Sequence, residues 1–101
     1  MKSAQSILST IYANTDTLRS YGVTKIGLFG SAARGESTPS SDIDVVLDFE
    51  TGKKTYRNFI GTATFLEQIL NRPVDVITST GVSPYLKPYI KKDIQYVQIK
   101  H

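Results

Sequence analysis

The sequence predicts a small α/β (α+β) domain in which helices flank a mixed β-sheet. Three observations support this fold class: apolar side chains recur at helical spacing, short segments are rich in β-branched residues, and glycine or proline separates these segments. The chain has 101 residues, a length that suits one domain spanning residues 1–101.

Apolar residues three or four positions apart predict three helices. Gly22 can end the first helix in a left-handed conformation, and Pro84 suits the first turn of the third. In the third helix we expect Leu86, Tyr89 and Ile90 to point inward, and most of the six tyrosines to be in the core or half-buried. The predicted helices span residues 3–20, 55–70 and 84–93.

Short β-branched segments predict the strands of the sheet. The second strand is expected to be central because it is rich in β-branched and apolar residues from Ile43 to Leu47, and the last is expected to be a short edge strand. Residues 30–41 are rich in Gly, Ser and Pro and predict a loop with one helical turn at Ala32-Ala33. The predicted strands span residues 23–29, 42–49, 74–77 and 94–99.

The composition limits the chemistry that the chain can perform. There is no cysteine, and the one histidine is the last residue, His101, so any metal must be held by oxygen, which points to Mg²⁺ or Mn²⁺. The net charge of +3 favours anionic partners such as nucleotides, RNA or an acidic protein. The amino-terminal segment is not a signal peptide and nothing approaches the length of a membrane span, so we expect a cytoplasmic protein.

One constellation of residues predicts a catalytic site: Gly30-Ser31, then ten residues, then Asp42-Ile43-Asp44. Alternate side chains of a strand share a face, so Asp42 and Asp44 are expected to point the same way. Two adjacent carboxylates repel each other, and divalent cations relieve the repulsion. Such carboxylates can bridge two Mg²⁺ ions for an in-line phosphoryl displacement.

The turn before these carboxylates is suited to a triphosphate. Gly30 allows the backbone to approach a phosphate closely, and exposed N–H groups with the Ser31 hydroxyl can surround its oxygens. Arg34 can contact a phosphate or neutralise a leaving pyrophosphate, and it can equally pair with Glu36 or with an acid of the metal site.

These residues resemble a known signature. Gly30-Ser31-(x10)-Asp42-Ile43-Asp44 is similar to that of the DNA polymerase β-type nucleotidyltransferases, and the string GSAARGESTPSSDIDVVLDF resembles their minimal nucleotidyltransferase branch. The resemblance implies the corresponding fold and a third carboxylate on a neighbouring strand, where Asp75 matches. The implied role of Asp75 is to bind the catalytic metal and help to deprotonate the acceptor hydroxyl.

The resemblance also implies an activity. Members of this branch often pair with HEPN-domain proteins as toxin–antitoxin systems, so the chain is expected to move AMP from ATP to a tyrosine of a HEPN toxin, with Mg²⁺ as cofactor. Because the segment after Asp75 is short, we expect no separate acceptor-binding domain, so that the acceptor brings its own binding surface. Two alternatives remain open: a small-molecule nucleotidyltransferase that works as a homo-oligomer, and a non-catalytic antitoxin that binds its partner stoichiometrically. Direct nucleic-acid binding is not expected.

A basic stretch near the carboxyl end has no assigned role. Lys87 and Lys91 lie one helical turn apart, with Lys92 beside them. These side chains can reach a triphosphate or an acidic partner, or they can form an ordinary solvated helix face.

Overall fold

The computed structural model describes residues 4–36, 38 and 41–99. It contains a four-stranded mixed sheet with strand order β3-β2-β1-β4. The strands are β1 (Val23–Phe29), β2 (Ile43–Phe49), β3 (Val74–Thr78) and β4 (Gln95–Gln98). The helices are α1 (Ala4–Tyr12), α2 (Thr15–Ser20), α3 (Gly30–Ala33), α4 (Tyr56–Leu70) and α5 (Lys87–Asp93), with a 3-10 turn at Ser79–Gly81. The predicted fold class is therefore confirmed, whereas His101 lies outside the described residues.

The pairing of the strands makes the sheet mixed. Strand β1 runs antiparallel to both β2 and β4, and β2 runs parallel to β3. The second strand is central and the last strand is at an edge, as predicted. Parallel neighbours need a long crossover, and here α4 provides it.

The two faces of the sheet have different roles. On one face, apolar side chains of all four strands pack against α1, α2 and α4 and form the core. On the other face lie Asp44, Val46 and Asp48, because side chains alternate along β2. Helix α5 and the Ile94 that follows it cover part of this second face: Ile90 and Ile94 line a cavity with Val46, and a Cβ atom at Gly27 would meet the Ile94 side chain at 2.5 Å. The first face is stabilised by the hydrophobic effect, which contributes a free energy of about 25 cal/mol for each Å² of apolar surface that is buried.

The single helix predicted over residues 3–20 is wrong, since two helices meet at Asn14. In a continuous helix the Asn14 backbone N–H would donate to the Thr10 carbonyl. Instead the Asn14 side-chain amide donates to the Thr10 carbonyl at 2.7 Å, and the Asn14 backbone N–H donates to the Ile11 carbonyl at 3.0 Å. This competition by an asparagine side chain ends α1.

The inward positions predicted for the last helix are partly wrong. Ile90 is buried, but Leu86 and Tyr89 are exposed: α5 begins only at Lys87, so Leu86 precedes the helix, and Ile90 is the buried residue of α5. The tyrosine prediction is also wrong: five of the six are exposed, and Tyr21 alone is partly buried. No described helix combines the length and apolar composition that a membrane span requires.

Candidate active site

Two carboxylates lie side by side on neighbouring strands. The register of the parallel pair β2–β3 places Asp44 directly opposite Asp75, while the antiparallel pair places Phe29 opposite Asp44 on the other side. Asp44 is half-buried and Asp75 is exposed. Since paired residues share a face of the sheet, both carboxylates project from the face opposite the main core.

The electrostatics of Asp44 reflect this crowding. Burial raises the pKa of Asp44, and the nearby charges of Asp75 and Asp42 raise it further, while Arg34 opposes them. A carboxylate with a raised pKa in the company of other carboxylates is a common feature of catalytic sites. Both predicted partner acids and the predicted arginine are thus close enough to Asp44 to influence its charge.

Asp42 does not lie on the strand. Strand β2 begins at Ile43, so the alternation of side chains along the strand orients Asp44 but not Asp42. Asp42 is exposed in the segment that connects α3 to β2. Two hydrogen bonds fix this segment: Arg72 Nη2 donates to the Ser41 carbonyl at 2.7 Å, and Ile43 N–H donates to the Pro73 carbonyl at 3.0 Å.

Gly30 lies in contact with the central carboxylate. Its φ is +72°, and a Cβ atom at this position would lie 2.5 Å from Asp44 Oδ2. Glycine is therefore required both by the left-handed backbone and by the space. Ser31 follows in the first turn of α3 and is partly buried. The structure thus brings the predicted Gly-Ser turn and Asp44 together.

Arg34 is held by two carboxylates. Its Nε donates to Glu36 Oε1 at 2.8 Å, and its Nη1 donates to Asp93 Oδ2 at 3.0 Å. These hydrogen bonds raise the pKa of the Arg34 guanidinium. The pairing with Glu36 was one of the predicted alternatives. The contact with Asp93 was missed, as was the role of Arg72, because the partners are far apart in the sequence and no local pattern marks them.

The donor set of the site fits a magnesium ion that arrives with a nucleotide. In the parts of the chain that the structure describes, no group of three or more His, Cys, Asp or Glu side chains is arranged to hold a metal ion by itself. Magnesium, however, usually takes one or two protein carboxylates together with substrate phosphates and water. The carboxylates of Asp44 and Asp75, at paired positions of β2 and β3, match that requirement, and the repulsion between their charges favours a cation.

Comparison with known proteins assigns this arrangement to a family. A family model described as a nucleotidyltransferase domain matches residues 13–97. The protein adenylyltransferase MntA of Thermococcus cleftensis is 32% identical over 98 residues, which cover 96% of this chain and 98% of that protein. A candidate protein adenylyltransferase of Methanocaldococcus jannaschii is 42% identical over 79 residues, which cover 76% of this chain and 79% of that protein.

Solved structures show the same fold. A candidate minimal nucleotidyltransferase has a TM-score of 0.70 and 29% identity, and the match covers 87% of this chain and 93% of that one. A chain from the complex of a tri-AMPylated Shewanella oneidensis HEPN toxin with an MNT antitoxin has a TM-score of 0.58 and 19% identity, covering 91% of this chain and 71% of that one. At this identity the second likeness concerns the fold alone.

Proposed function

Because the chain belongs to the family of nucleotidyltransferase domains, we propose that it moves AMP from ATP to a hydroxyl group of a partner protein, with Mg²⁺ as the required cation. One observation carries the proposal: the register that places Asp44 beside Asp75, next to the Gly30 turn. A pair of carboxylates beside a turn that admits phosphate suits nucleotidyl transfer.

Each residue of the site has a proposed part in the reaction. Asp42, Asp44 and Asp75 would hold the metal, which when bound neutralises phosphate charge and assists the in-line displacement. The acceptor oxygen forms a bond to the α-phosphorus of ATP, the bond to the β-phosphate oxygen breaks, and pyrophosphate leaves. Asp75, the exposed member of the pair, accepts the proton of the acceptor hydroxyl.

The turn and the arginine act on the phosphates. Gly30 keeps the backbone beside Asp44 free of a side chain, so that a phosphate can approach, and Ser31 offers a hydroxyl. Arg34 lies within electrostatic reach of Asp44, where its positive charge can offset charge that develops on pyrophosphate. Its hydrogen bonds to Glu36 and Asp93 fix its position.

The proposed acceptor is a tyrosine of a HEPN-domain toxin, which the chain would silence as an antitoxin in the cytoplasm. Support comes from the MntA relative, named as a protein adenylyltransferase, and from the shared fold of the MNT antitoxin found with an AMPylated HEPN toxin. A phenol also suits the reaction, since its pKa of about 10 makes it easier to deprotonate than a serine hydroxyl.

Intact-mass spectrometry of a HEPN-domain partner co-expressed with this chain tests the proposal. We expect a mass gain of one or more AMP units, mapped to tyrosine, and its loss in the Asp42→Asn and Asp44→Asn variants. Asp48→Asn is the matched control, because Asp48 lies on the same strand and face but pairs with Lys25 at 3.6 Å. Activity of Asp44→Asn within tenfold of the wild type would contradict the site assignment.

A further variant separates the roles of the carboxylates. We expect Asp75→Asn to lose AMP transfer while it keeps most of the affinity for Mg²⁺-ATP, because two carboxylates remain to hold the triphosphate-bound metal. Binding is measured by titration with a non-hydrolysable ATP analogue. If nucleotide binding disappears together with transfer, Asp75 contributes more to metal binding than proposed.

A further inference from the structure

An exposed aromatic and basic surface covers α5 and the turn that leads into it. The side chains of Tyr85, Tyr89 and Leu86 are 86%, 74% and 50% exposed. Large apolar side chains gathered on one short segment mark interaction sites, where tyrosine is enriched. We call this the α5 surface and define it by Tyr85, Leu86, Lys87, Tyr89, Lys91 and Lys92.

The α5 surface has unbalanced positive charge. Within residues 4–36, 38 and 41–99, none of its three lysines lies within ion-pair distance of a carboxylate. The one acid on the helix, Asp93, is already paired with Arg34. A solvated lysine face alone would not require aromatic residues between the charges. The combination therefore fits a partner that offers both negative charge and apolar contact.

The α5 surface borders the candidate active site. At the end of the helix, Asp93 holds Arg34, which follows the Gly30 turn. Along the helix, Lys87 and Lys91 line a cavity of about 200 Å³ together with Val46, which lies two residues beyond Asp44 on the same face of β2. The α5 surface is thus adjacent to Arg34 and Val46, two neighbours of the candidate site.

We propose that the α5 surface docks the protein acceptor through an acidic segment next to the modified hydroxyl. This inference rests on the proposed function and adds the chemistry of the acceptor to it. The tyrosines supply rigid contact area that loses little conformational entropy, and the lysines attract and orient the acidic segment. A protein is favoured over RNA because the relatives of the chain are named as protein adenylyltransferases.

The test uses a random copolymer of glutamate and tyrosine as the acidic probe, labelled with a fluorophore. We expect Tyr89→Ala/Lys92→Glu to weaken binding of the probe by at least about tenfold, as for a central interface residue. The affinity for ATP should remain within twofold of the wild type. We expect Lys92→Glu alone to have an intermediate effect on binding of the probe. This single variant shows that the loss does not come from an altered fold of the double variant.

The matched control is Tyr56→Ala/Arg57→Glu. It removes one exposed tyrosine, 82% accessible, and reverses one charge on α4, which packs on the opposite face of the sheet. We expect this control to bind the probe as the wild type does. Equal loss in both double variants would overturn the proposal, since it would indicate a general charge effect.

Other outcomes also decide the question. No binding of the probe by the wild type, or a parallel loss of ATP affinity in Tyr89→Ala/Lys92→Glu, would overturn the proposal, the latter by assigning the surface to the nucleotide. Tighter binding of a single-stranded RNA, weakened by the same variants, would assign it to nucleic acid. If the probe binds as expected but no AMP reaches any protein, the proposed function fails and with it the role in docking an acceptor, while the α5 surface stands as a binding site for acidic protein segments.

Discussion

At the scale of single residues, Asp44 is ionised at a cost in the folded chain. Burial, Asp75 and Asp42 all raise its pKa above the ordinary value of 3.8. The folded chain favours the neutral form of such a group. Its contribution to the free energy of unfolding is therefore fully present below the unfolded pKa and is lost as the pH rises through the raised pKa of the folded state. At neutral pH, without a metal, the Asp44 charge therefore destabilises the fold.

We accordingly predict that Asp44→Asn is more stable than the wild type at neutral pH in the absence of Mg²⁺. The advantage should shrink as the pH falls toward 3.8, because the wild-type carboxylate then becomes neutral too. Urea unfolding of both proteins over this pH range measures it, with Asp48→Asn as a control whose ion pair with Lys25 gives no such gain. An advantage that does not change with pH would contradict the explanation.

Two glycines with nearly the same φ distinguish the cost of a left-handed backbone from the cost of a steric clash with Asp44. Gly30 has φ +72° and Gly35 has φ +73°, but a Cβ on Gly30 would lie 2.5 Å from Asp44 Oδ2, whereas a Cβ on Gly35 would meet no described atom within 4 Å. We expect each alanine variant to lose about 1–2 kcal/mol of stability from the left-handed backbone. Only Gly30→Ala should also lose AMP transfer, and an active Gly30→Ala enzyme would refute the close contact.

At the scale of elements, α4 begins with a hydrogen-bonded cap. The Thr55 Oγ1 atom accepts a hydrogen bond from the Asn58 backbone N–H at 3.1 Å. We predict that Thr55→Ala lowers the free energy of unfolding by about 1 kcal/mol, while Thr55→Ser keeps most of it. Because α4 packs on the face opposite the carboxylates, the AMP transfer rate of the folded enzyme should not change. Chemical denaturation and transfer assays on the same samples check both statements.

The sequence predicts elements better than it predicts contacts between them. Short β-branched segments mark all four strands, since their pattern is local, and Asp44 is correctly placed on the central one. The break at Asn14 depends on a side chain that competes for a single carbonyl, and periodicity does not reveal it. The Arg34–Asp93 contact joins residues 59 positions apart, so only the folded chain brings the two together.

At the scale of the whole molecule, the candidate site is open as far as the described residues form it. Asp42 and Asp75 are both exposed, at the edge of a sheet whose face α5 covers only in part. A free small alcohol would therefore find few contacts to orient it, and orientation supplies much of the rate in transfer reactions.

We predict that free tyrosine amide is a poor acceptor, with a kcat/KM at least about a hundredfold below that of a protein acceptor. Chromatographic detection of AMP-tyrosine amide from labelled ATP measures the transfer. Efficient reaction with the small acceptor, coupled with a homo-oligomer in solution, would instead favour a small-molecule transferase.

The crossover between β2 and β3 also makes the site depend on contact between distant parts of the chain. Strands β1 and β2 pair antiparallel, whereas β3 pairs with β2 only after the chain has passed through α4. Contacts that close such long loops carry a larger entropic cost than local ones. The pairing of Asp44 with Asp75 is such a non-local contact, whereas the pairing of Asp44 with Phe29 joins consecutive strands. A chain that ends before β3 would have Asp44 without Asp75 beside it, so the proposed transfer depends on the closure of this crossover.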